Sequence, residues 1–417
     1  MYTASLENKQ DSNQQRYLTL FERGYAIVSL LFFTPGLGTI FSDDPAIMSP
    51  LRYLILLLAG LFALMRWRST LRAVQRGGLI WLLIGLTMIS VMWSNYPDHA
   101  IESIRGEILP LTSFSVYFAS RFHPREQLRL LSIALGIGSL ISLFYVFAIP
   151  SIGTHTSGAF AGAWKGIYGQ KNSFSAYMTI TLVTFFVLSV NNVNRFERLI
   201  CRSFLGLSIA MVILSTSKTG LVVFITILFL LLAYQRFRWQ GKRTVFWVDV
   251  ATLIALVAGC YVFSNWELLI SSLGRDPTLT GRTLIWEGAF EKLDSDLWLG
   301  FGRESFWLEE NPLSRGFSGL HDGYRPAHAH NGFIDLIVDL GVVGLVIFLI
   351  GYLATFALAL RRSYLAKTPE DFWPIAVMLL ILVYNMTESL LMKRANLFFV
   401  LYLINFFSLR LWPKSSS

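Results

Sequence analysis

The strongest candidate for chemistry is the block Arg325-Pro-Ala-His-Ala-His-Asn-Gly-Phe-Ile334, which runs directly into a long apolar stretch. It places His328 and His330 two residues apart, with His321 upstream. An imidazole can take a proton from a hydroxyl group near neutral pH. We therefore expect this block to supply a general base.

Two other interpretations of these histidines remain open. A zinc site needs three or four ligands at suitable spacing, and neither a Cys nor a clear fourth ligand lies nearby, so we expect no metal. An imidazole could instead cap the start of the following helix. Asn331 and Asp335 are four residues apart and would share a helix face. One of them could orient the hydroxyl group that loses its proton, or the imidazole ring that accepts it.

Arg282 is a second candidate, in the stretch Thr278-Leu-Thr-Gly-Arg-Thr-Leu-Ile-Trp286. Apolar residues follow it at helical spacing, namely Ile285, Ala289, Phe290 and Leu293. The spacing predicts an amphipathic helix over 284–293 with Arg282 at its start. A cation there opposes the helix dipole, unless Arg282 and the helix N-terminus hold an anion together. An ordinary surface arginine is the alternative.

Lys218 is a third candidate, in Ser215-Thr-Ser-Lys-Thr-Gly220, a very short turn between two apolar segments. Such a turn holds the lysine at membrane depth, where charges are usually functional or paired. The alternative is a snorkelling lysine that marks the membrane interface.

Apolar segments that recur along the whole chain must position these residues. The chain is 54% hydrophobic and 15% charged, whereas soluble domains carry about 25% charged residues. Because a spanning helix needs roughly 20 mostly apolar residues, we predict an all-α polytopic membrane protein with about twelve transmembrane helices, forming a single membrane domain over 1–417. The predicted spans are 24–41, 51–65, 79–93, 107–120, 128–149, 173–190, 200–215, 219–234, 245–263, 332–360, 372–389 and 395–411.

The net charge of +9 follows the predicted topology. A basic soluble protein could bind nucleic acid, but here 22 of the 35 Lys and Arg residues fall in alternate segments between spans. The positive-inside rule then places both termini in the cytoplasm, and we expect no nucleic acid partner. Cys201 and Cys260 fall near opposite faces, so we expect no disulfide. Because the residues through Gln15 are polar, we expect no cleavable signal peptide there.

The same topology predicts one large periplasmic loop, 264–331, containing short helices. This loop carries six Lys and Arg residues against ten Asp and Glu residues. Any anion site in it must therefore use particular arginines and not a general basic surface.

These motifs, in this order, resemble the O-antigen ligase and Wzy-type polymerase superfamily, and most closely its exopolysaccharide polymerase (ExoQ-like) branch. The likeness covers nearly all of 24–411. The matching blocks are Trp93-Ser-Asn-Tyr-Pro97, Gly169-Gln-Lys-Asn172, Ser215-Thr-Ser-Lys-Thr219, Gly281-Arg-Thr-Leu-Ile-Trp286, Trp298-Leu-Gly-Phe-Gly302, and His328-Ala-His-Asn-Gly-Phe-Ile-Asp335 with Asp339-Leu-Gly341.

The resemblance implies particular roles for these residues. The family's catalytic histidine matches His330 and its loop arginine matches Arg282. The basic residue after the seventh span is often Arg in the family and is Lys218 here, which offers a point charge where Arg offers a bidentate fork. The donor pyrophosphate would be held by Arg282 and Lys218, with Arg303 or Lys171. Supporting residues would be His328, Asn331, Asp335, Asp339 and Asn172.

The implied reaction is inverting glycosyl transfer from an undecaprenyl-pyrophosphate-linked donor, without metal or cofactor, on the periplasmic face of the bacterial inner membrane. We expect a polymerase of lipid-linked repeat units, whose partners are the lipid-linked oligosaccharide, other polysaccharide assembly and export proteins, and membrane lipid. Four aromatic residues could stack on sugar rings or simply pack the loop, namely Trp286, Trp298, Phe306 and Trp307.

Three other functions are alternatives to a polymerase. An O-antigen ligase would run the same chemistry with lipid A–core as acceptor. A lipid-linked sugar transporter or flippase would need charges near the bilayer midplane and paired broken repeats, and the sequence shows no such repeat. A non-catalytic scaffold in an export complex would not explain the His-Asn-Gly block.

Overall fold

The computed structural model describes residues 2–191, 194–237, 282–294, 296–315, 317, 325–366, 368–393 and 396–412. These residues form helices and connecting turns, with one isolated β-bridge between Thr154 and Trp164. The predicted all-helical fold is therefore confirmed for this part of the chain. The predicted span 245–263, Cys260 and His321 lie outside the described residues, as does the loop up to residue 281.

The helices are numbered in chain order. They are α1 (Tyr2–Phe32), α2 (Gly36–Ile40), α3 (Pro45–Met65), α4 (Trp67–Gln75), α5 (Gly78–Ile89), α6 (Pro97–Ser103), α7 (Leu109–Arg121), α8 (Pro124–Ala148), α9 (Pro150–Gly153), α10 (Lys171–Asn191), α11 (Arg195–Leu214), α12 (Lys218–Phe237), α13 (Arg282–Lys292), α14 (Gly332–Tyr364), α15 (Trp373–Asn385) and α16 (Leu397–Leu411).

Within the described ranges, four helices are long and apolar enough to cross a membrane, namely α3, α8, Lys171–Val190 of α10, and α14. The bent pair Trp67–Gln75 and Gly78–Met92 would make a fifth. The predicted count of twelve is therefore not confirmed. The last two predicted spans correspond to α15 and α16, which have only 13 and 15 residues.

The interior of the bundle is formed by helices that are buried on most sides. Every residue of α16 from Leu397 to Leu409 is buried, and 83% of the apolar window of α10 is buried. The predicted span 107–120 contains several polar residues, which make it the least apolar of the predicted spans. It forms α7, whose residues 110–112 and 114–120 are buried among other helices. The Ser115 hydroxyl donates to the carbonyl oxygen of Leu111 at 2.6 Å and the Ser120 hydroxyl to that of Tyr117 at 3.0 Å, so the backbone of α7 itself satisfies these two groups.

Helix α14 is interrupted at Gly341, where φ is +66°. The described part of the predicted periplasmic loop (282–294, 296–315, 317 and 325–331) is called the outer loop below. It fills the gap, because a side-chain Cβ at Gly341 would lie 2.1 Å from the carbonyl oxygen of Trp298. Four backbone hydrogen bonds join the two segments: Phe301 N–H to Val338 O at 2.9 Å, Gly302 N–H to Asp339 O at 3.0 Å, Val342 N–H to Leu297 O at 2.9 Å, and Val343 N–H to Trp298 O at 3.2 Å. Lipid offers no hydrogen bonds, so a broken helix persists only where protein supplies them.

The block Trp93-Ser-Asn-Tyr-Pro97 packs against the same part of the loop. Trp93 Nε1 donates to the carbonyl oxygen of Leu299 at 3.2 Å, and the hydroxyls of Ser94 and Ser305 are 2.6 Å apart. The motifs at 93–97, 298–302 and 339–341 therefore pack together where the outer loop contacts the bundle.

The sidedness of the bundle is tested by cysteine labelling in a chain carrying Cys201→Ser and Cys260→Ser. Gln75 in α4 and Glu310 in the outer loop both have exposed side chains. Because the basic segments predict α4 inside and the loop outside, an impermeant maleimide should label Glu310→Cys but not Gln75→Cys in intact spheroplasts. Permeabilised cells, as the control, should show both labelled. Labelling of Gln75→Cys in intact spheroplasts would overturn the topology.

Candidate active site

The histidine loop 325–331 enters α14 through Asn331. The Asn331 Oδ1 atom accepts hydrogen bonds from the backbone N–H groups of Phe333 at 3.0 Å and Ile334 at 3.2 Å. This is a standard N-cap, so the residue that caps the helix is Asn331 and not a histidine. His330 precedes it with φ +51°. Non-glycine residues rarely adopt this conformation, and such strain concentrates at functional sites.

Asp335, on the first turn of α14, forms hydrogen bonds that fix the histidine loop. Its Oδ1 atom accepts from the backbone N–H of Ala329 at 2.9 Å and from Trp307 Nε1 at 2.8 Å. Trp286 Nε1, on α13, donates to the carbonyl oxygen of Ala329 at 2.7 Å. Both backbone polar groups of Ala329 are thereby fixed, which places the two flanking histidines.

His328 positions the backbone of His330. The His328 Nδ1 atom accepts from the backbone N–H of His330 at 3.1 Å, and the Ser389 hydroxyl lies 3.2 Å from the same nitrogen. The two imidazole centroids are 4.1 Å apart. Burial, and then the neighbouring His330, lowers the pKa of His328 to about 4. His328 is therefore neutral at physiological pH and able to accept this hydrogen bond.

We expect His328→Ala to slow turnover about five- to tenfold, because it removes a hydrogen bond worth ~1 kcal/mol and frees a strained backbone. His328→Asn should remain near wild type, because the asparagine Oδ1 can accept the same N–H in an Asx turn. The measurement is the initial rate of donor consumption by purified protein. Equal rates for His328→Ala and wild type, or His328→Asn as slow as His328→Ala, would contradict this role.

The pH dependence gives a second readout of the same bond. A histidine whose pKa is lowered by folding contributes its full stabilisation above its unfolded pKa, and loses it as the pH falls through the folded value of about 4. The wild-type protein should therefore lose the hydrogen bond between His328 Nδ1 and the backbone N–H of His330 near pH 4. The corresponding bond in His328→Asn should persist at that pH.

Glu388 joins residues from distant parts of the chain. Its Oε1 atom accepts from Asn172 Nδ2 at 2.9 Å and lies 3.3 Å from Arg282 Nη2, while its Oε2 atom is 3.8 Å from His330 Nδ1. Burial alone would raise the pKa of the Glu388 carboxyl, but His330 and Arg282 outweigh burial and lower it. The result is an ionised carboxylate placed between an imidazole and a guanidinium.

Sequence reasoning missed Glu388, although a signal was present. Glu388 lies within the predicted span 372–389, and an ionisable residue in a predicted span is by default a functional candidate. Helix α15 ends at Asn385, so the carboxylate stands in the connection between the last two helices.

Arg282 begins α13, where the sequence placed the helix start. Its Nη1 donates to the carbonyl oxygen of Thr387 at 2.5 Å, so the guanidinium lies against both backbone and side chain of the 387–388 segment. Arginine carries five N–H donors, so further donors remain for a ligand. The expected buried face of this helix is only partly right, because Ile285 and Ala289 are buried and Phe290 is 44% exposed.

The starts of α10 and α12 lie side by side at this site. The Ser217 hydroxyl donates to Asn172 Oδ1 at 2.9 Å, and the Asn172 amide donates to Glu388. Lys171 and Lys218 are the sequence neighbours of Asn172 and Ser217. The Lys171 ammonium lies 3.7 Å from the Phe160 ring centroid, and Lys218 is exposed. Among the described residues, neither lysine has a carboxylate partner.

Arg303 belongs to a different cluster and is 1% exposed. Its guanidinium lies 3.0 Å from Asp339 Oδ2 and 3.2 Å from both Glu107 Oε2 and Glu304 Oε1, and Nε donates to Ser103 Oγ at 3.2 Å. Burial opposes this charge, but the three carboxylates outweigh burial and raise the pKa of Arg303. The expected donor-binding role is not supported, because these bonds leave no access for phosphate. Instead, Arg303 in the outer loop and Asp339 in α14 form an ion pair that joins the outer loop to the bundle.

The four loop aromatic residues divide into two groups. Phe306 and Trp307 are buried, and Trp286 is half-buried with its ring nitrogen bonded. These three pack the loop and cannot stack freely on a sugar. Trp298 is 70% exposed and remains the candidate for contact with a sugar or with lipid.

Residues 203–349 match the family model described as O-antigen ligase. That segment contains Lys218, Arg282 and His330, whereas Asn172 and Glu388 lie outside it.

The chain is also similar to the exopolysaccharide production protein ExoQ of Rhizobium meliloti (strain 1021). The two are 30% identical over 111 residues, which cover 26% of this chain and 25% of that relative. This chain thus spans about a quarter of the curated relative. The two matches confirm the resemblance to the O-antigen ligase and Wzy-type superfamily and to its exopolysaccharide branch.

Proposed function

We propose that this protein is an inner-membrane glycosyltransferase that joins undecaprenyl-pyrophosphate-linked repeat units into exopolysaccharide on the periplasmic face. The observation that carries the proposal is the placement of the Glu388 carboxylate between His330 and Arg282. A base and an anion-binding cation within one cluster are the groups that transfer from a pyrophosphate-linked sugar needs. The family match and the similarity to the exopolysaccharide production protein support the same conclusion.

In the proposed reaction, His330 Nε2 takes the proton from an acceptor sugar hydroxyl. Glu388 Oε2 lies 3.8 Å from Nδ1 of the same ring, and a shift of about 1 Å would form an Nδ1–H hydrogen bond of ordinary length. The ionised carboxylate then fixes the tautomer and stabilises the imidazolium as it forms. His330 therefore acts as the base and Glu388 as its positioning partner.

The hydroxyl oxygen attacks the anomeric carbon as the bond from that carbon to the pyrophosphate oxygen breaks. A single displacement inverts the configuration and releases undecaprenyl pyrophosphate. Arg282, with Lys218 and Lys171 on the flank, offsets the negative charge growing on the leaving group. The proton on His330 then passes to the leaving pyrophosphate or to water, which restores the base without a metal or cofactor.

The charge of the outer loop favours a polymerase over a ligase. Six acidic side chains of the described loop are exposed, namely Glu287, Glu291, Asp294, Asp296, Glu309 and Glu310. An acidic surface would repel lipid A–core, which carries several phosphates. A lipid-linked repeat unit presents mainly sugar to this surface. O-antigen ligase remains the second candidate, because the matching family model carries that description.

Deletion of the gene in its host separates the two candidates. Loss of a polymerase removes high-molecular-weight exopolysaccharide and leaves the lipopolysaccharide banding unchanged. Collapse of lipopolysaccharide to bare core, with accumulation of lipid-linked polymer, would replace the polymerase with the ligase. Accumulation of lipid-linked repeat units on the cytoplasmic side would instead indicate a flippase.

Arg282→Ala and Lys218→Ala should each lower donor use about ten- to hundredfold, because each removes a charge-assisted hydrogen bond to phosphate worth ~1.5–3 kcal/mol. Lys218→Arg should keep or improve activity, since arginine binds phosphate with two parallel bonds. The measurement is the rate at low donor concentration, with Arg315→Ala, an exposed loop arginine, as the matched control. A folded but inactive Lys218→Arg variant would show that Lys218 does not hold phosphate.

A further inference from the structure

A second surface lies at the opposite end of the bundle from His330. Helix α4 (Trp67–Gln75) meets Gly78–Met92 at an angle of 83°. The corner is held by Trp81, whose Nε1 donates to the carbonyl oxygen of Val74 at 2.6 Å. The far end of Gly78–Met92 reaches the outer loop, where the Ser90 hydroxyl accepts from the backbone N–H of Arg303. If that helix crosses the bilayer, α4 lies close to the membrane plane at the other surface.

The exposed side of α4 has the pattern of an interfacial helix. Trp67, Leu71 and Val74 recur at i, i+4 and i+7 and are all exposed, so they form one apolar stripe. Ala73, on the other side of the helix, is fully buried against the bundle. Tryptophan is enriched at the level of lipid headgroups, where its ring is partly apolar and its N–H is polar. The stripe is therefore suited to lie in the headgroup region.

Two arginines border this stripe. Arg68 and Arg72 are one turn apart and exposed, and the Arg68 guanidinium carbon lies 5.6 Å from the centroid of the Trp67 ring. Over the described part of the chain, no carboxylate pairs with either of them. Other arginines at this end are paired, namely Arg23 with Glu126, Arg66 and Arg121 with Glu22, Arg125 with Glu370, and Arg362 with Asp371.

We propose that α4 is an anionic-lipid site, at which Arg68 and Arg72 bind the phosphate headgroups of acidic phospholipids while Trp67 and Leu71 enter the acyl boundary. Two cations beside an apolar stripe are complementary to a negatively charged headgroup above an acyl chain. The paired arginines at this end hold protein segments together, whereas Arg68 and Arg72 are exposed beside the apolar stripe of α4. This site is independent of the transferase function proposed above.

The test uses purified full-length protein and native mass spectrometry with added phosphatidylglycerol or phosphatidylcholine. Loss of two surface cations should weaken phosphatidylglycerol binding about 25-fold, since each contributes about fivefold. We therefore expect the double variant Arg68→Gln/Arg72→Gln to lose this preference while its phosphatidylcholine binding stays unchanged. Arg195→Gln/Arg202→Gln, two exposed arginines of α11 at the same end, is the matched control and should bind phosphatidylglycerol as wild type does.

Two results would overturn the proposal: wild-type phosphatidylglycerol binding by the α4 double variant, or an equal loss in the α11 control. The second result would mean that phosphatidylglycerol binding depends only on the total positive charge of this end of the protein. Thermal unfolding in detergent without added lipid checks that both variants are folded. If Arg68→Gln/Arg72→Gln is unstable, Arg68→Lys/Arg72→Lys keeps the charge and should retain the preference for phosphatidylglycerol.

Discussion

His330→Asn and His330→Ala should both abolish polymer formation, with the rate of donor consumption falling by a factor of about 10²–10⁴, the usual contribution of a general base. The asparagine variant is the sharper test. His330 has φ +51°, and asparagine adopts this conformation more readily than alanine. A loss seen equally in both variants therefore reports the missing base and not a rearranged loop.

The matched control for the His330 variants is His123→Ala, because His123 is exposed at the other end of the bundle and packs on Trp412. It should keep wild-type activity. If His330→Asn retained more than about a tenth of the rate while folded, a base at this position would be excluded. Equal inactivation by His328→Ala and His330→Ala would favour a structural role for the pair, or a metal site that a metal assay of the purified protein would reveal.

Glu388→Gln should lower kcat about 100-fold, because it removes the charge of the partner that orients His330, and a charge-assisted hydrogen bond is worth ~1.5–3 kcal/mol. The KM for donor should stay the same or fall, since the carboxylate that now holds Arg282 would no longer compete with the pyrophosphate. Loss of kcat without a rise in KM distinguishes a partner of the base from a donor-binding residue.

The control for Glu388 is Glu310→Gln, which removes the same charge from an exposed position in the outer loop and should be silent. Glu388→Asp keeps the charge but shortens the reach, and it should recover part of kcat. A wild-type kcat for Glu388→Gln, or a loss shared by Glu310→Gln, would separate Glu388 from the chemistry.

The sequence predicted the elements of this site well where local chemistry determines them. Arg282 begins a helix as expected, and the histidine loop enters a long apolar helix that carries Asp335 and Asp339. These features depend on helical periodicity and on residues a few positions apart, which a sequence displays directly. Lys218 was likewise expected in a short turn between apolar helices, and it is found at the start of α12.

The contacts between distant segments were not predictable in this way. Arg303 was expected beside the donor, yet its partners Glu107 and Asp339 are 196 and 36 residues away. Glu388 was overlooked because it lies 106 residues beyond Arg282 and forms no local motif. Nothing in the spacing of single motifs reveals which charges meet after the helices have packed. The count of twelve spans stays unconfirmed, because α15 and α16 have only 13 and 15 residues and the predicted span 245–263 lies outside the described residues.

Polymerisation by the purified full-length protein in liposomes is the most direct test of the proposed function. The substrate is undecaprenyl-pyrophosphate-linked repeat unit with a radiolabelled sugar, and the products are resolved by gel electrophoresis. We expect a ladder of polymer, with one undecaprenyl pyrophosphate released for each repeat unit added, and no ladder from His330→Asn. Transfer only when lipid A–core is supplied, or the same ladder from His330→Asn, would contradict a polymerase whose base is His330.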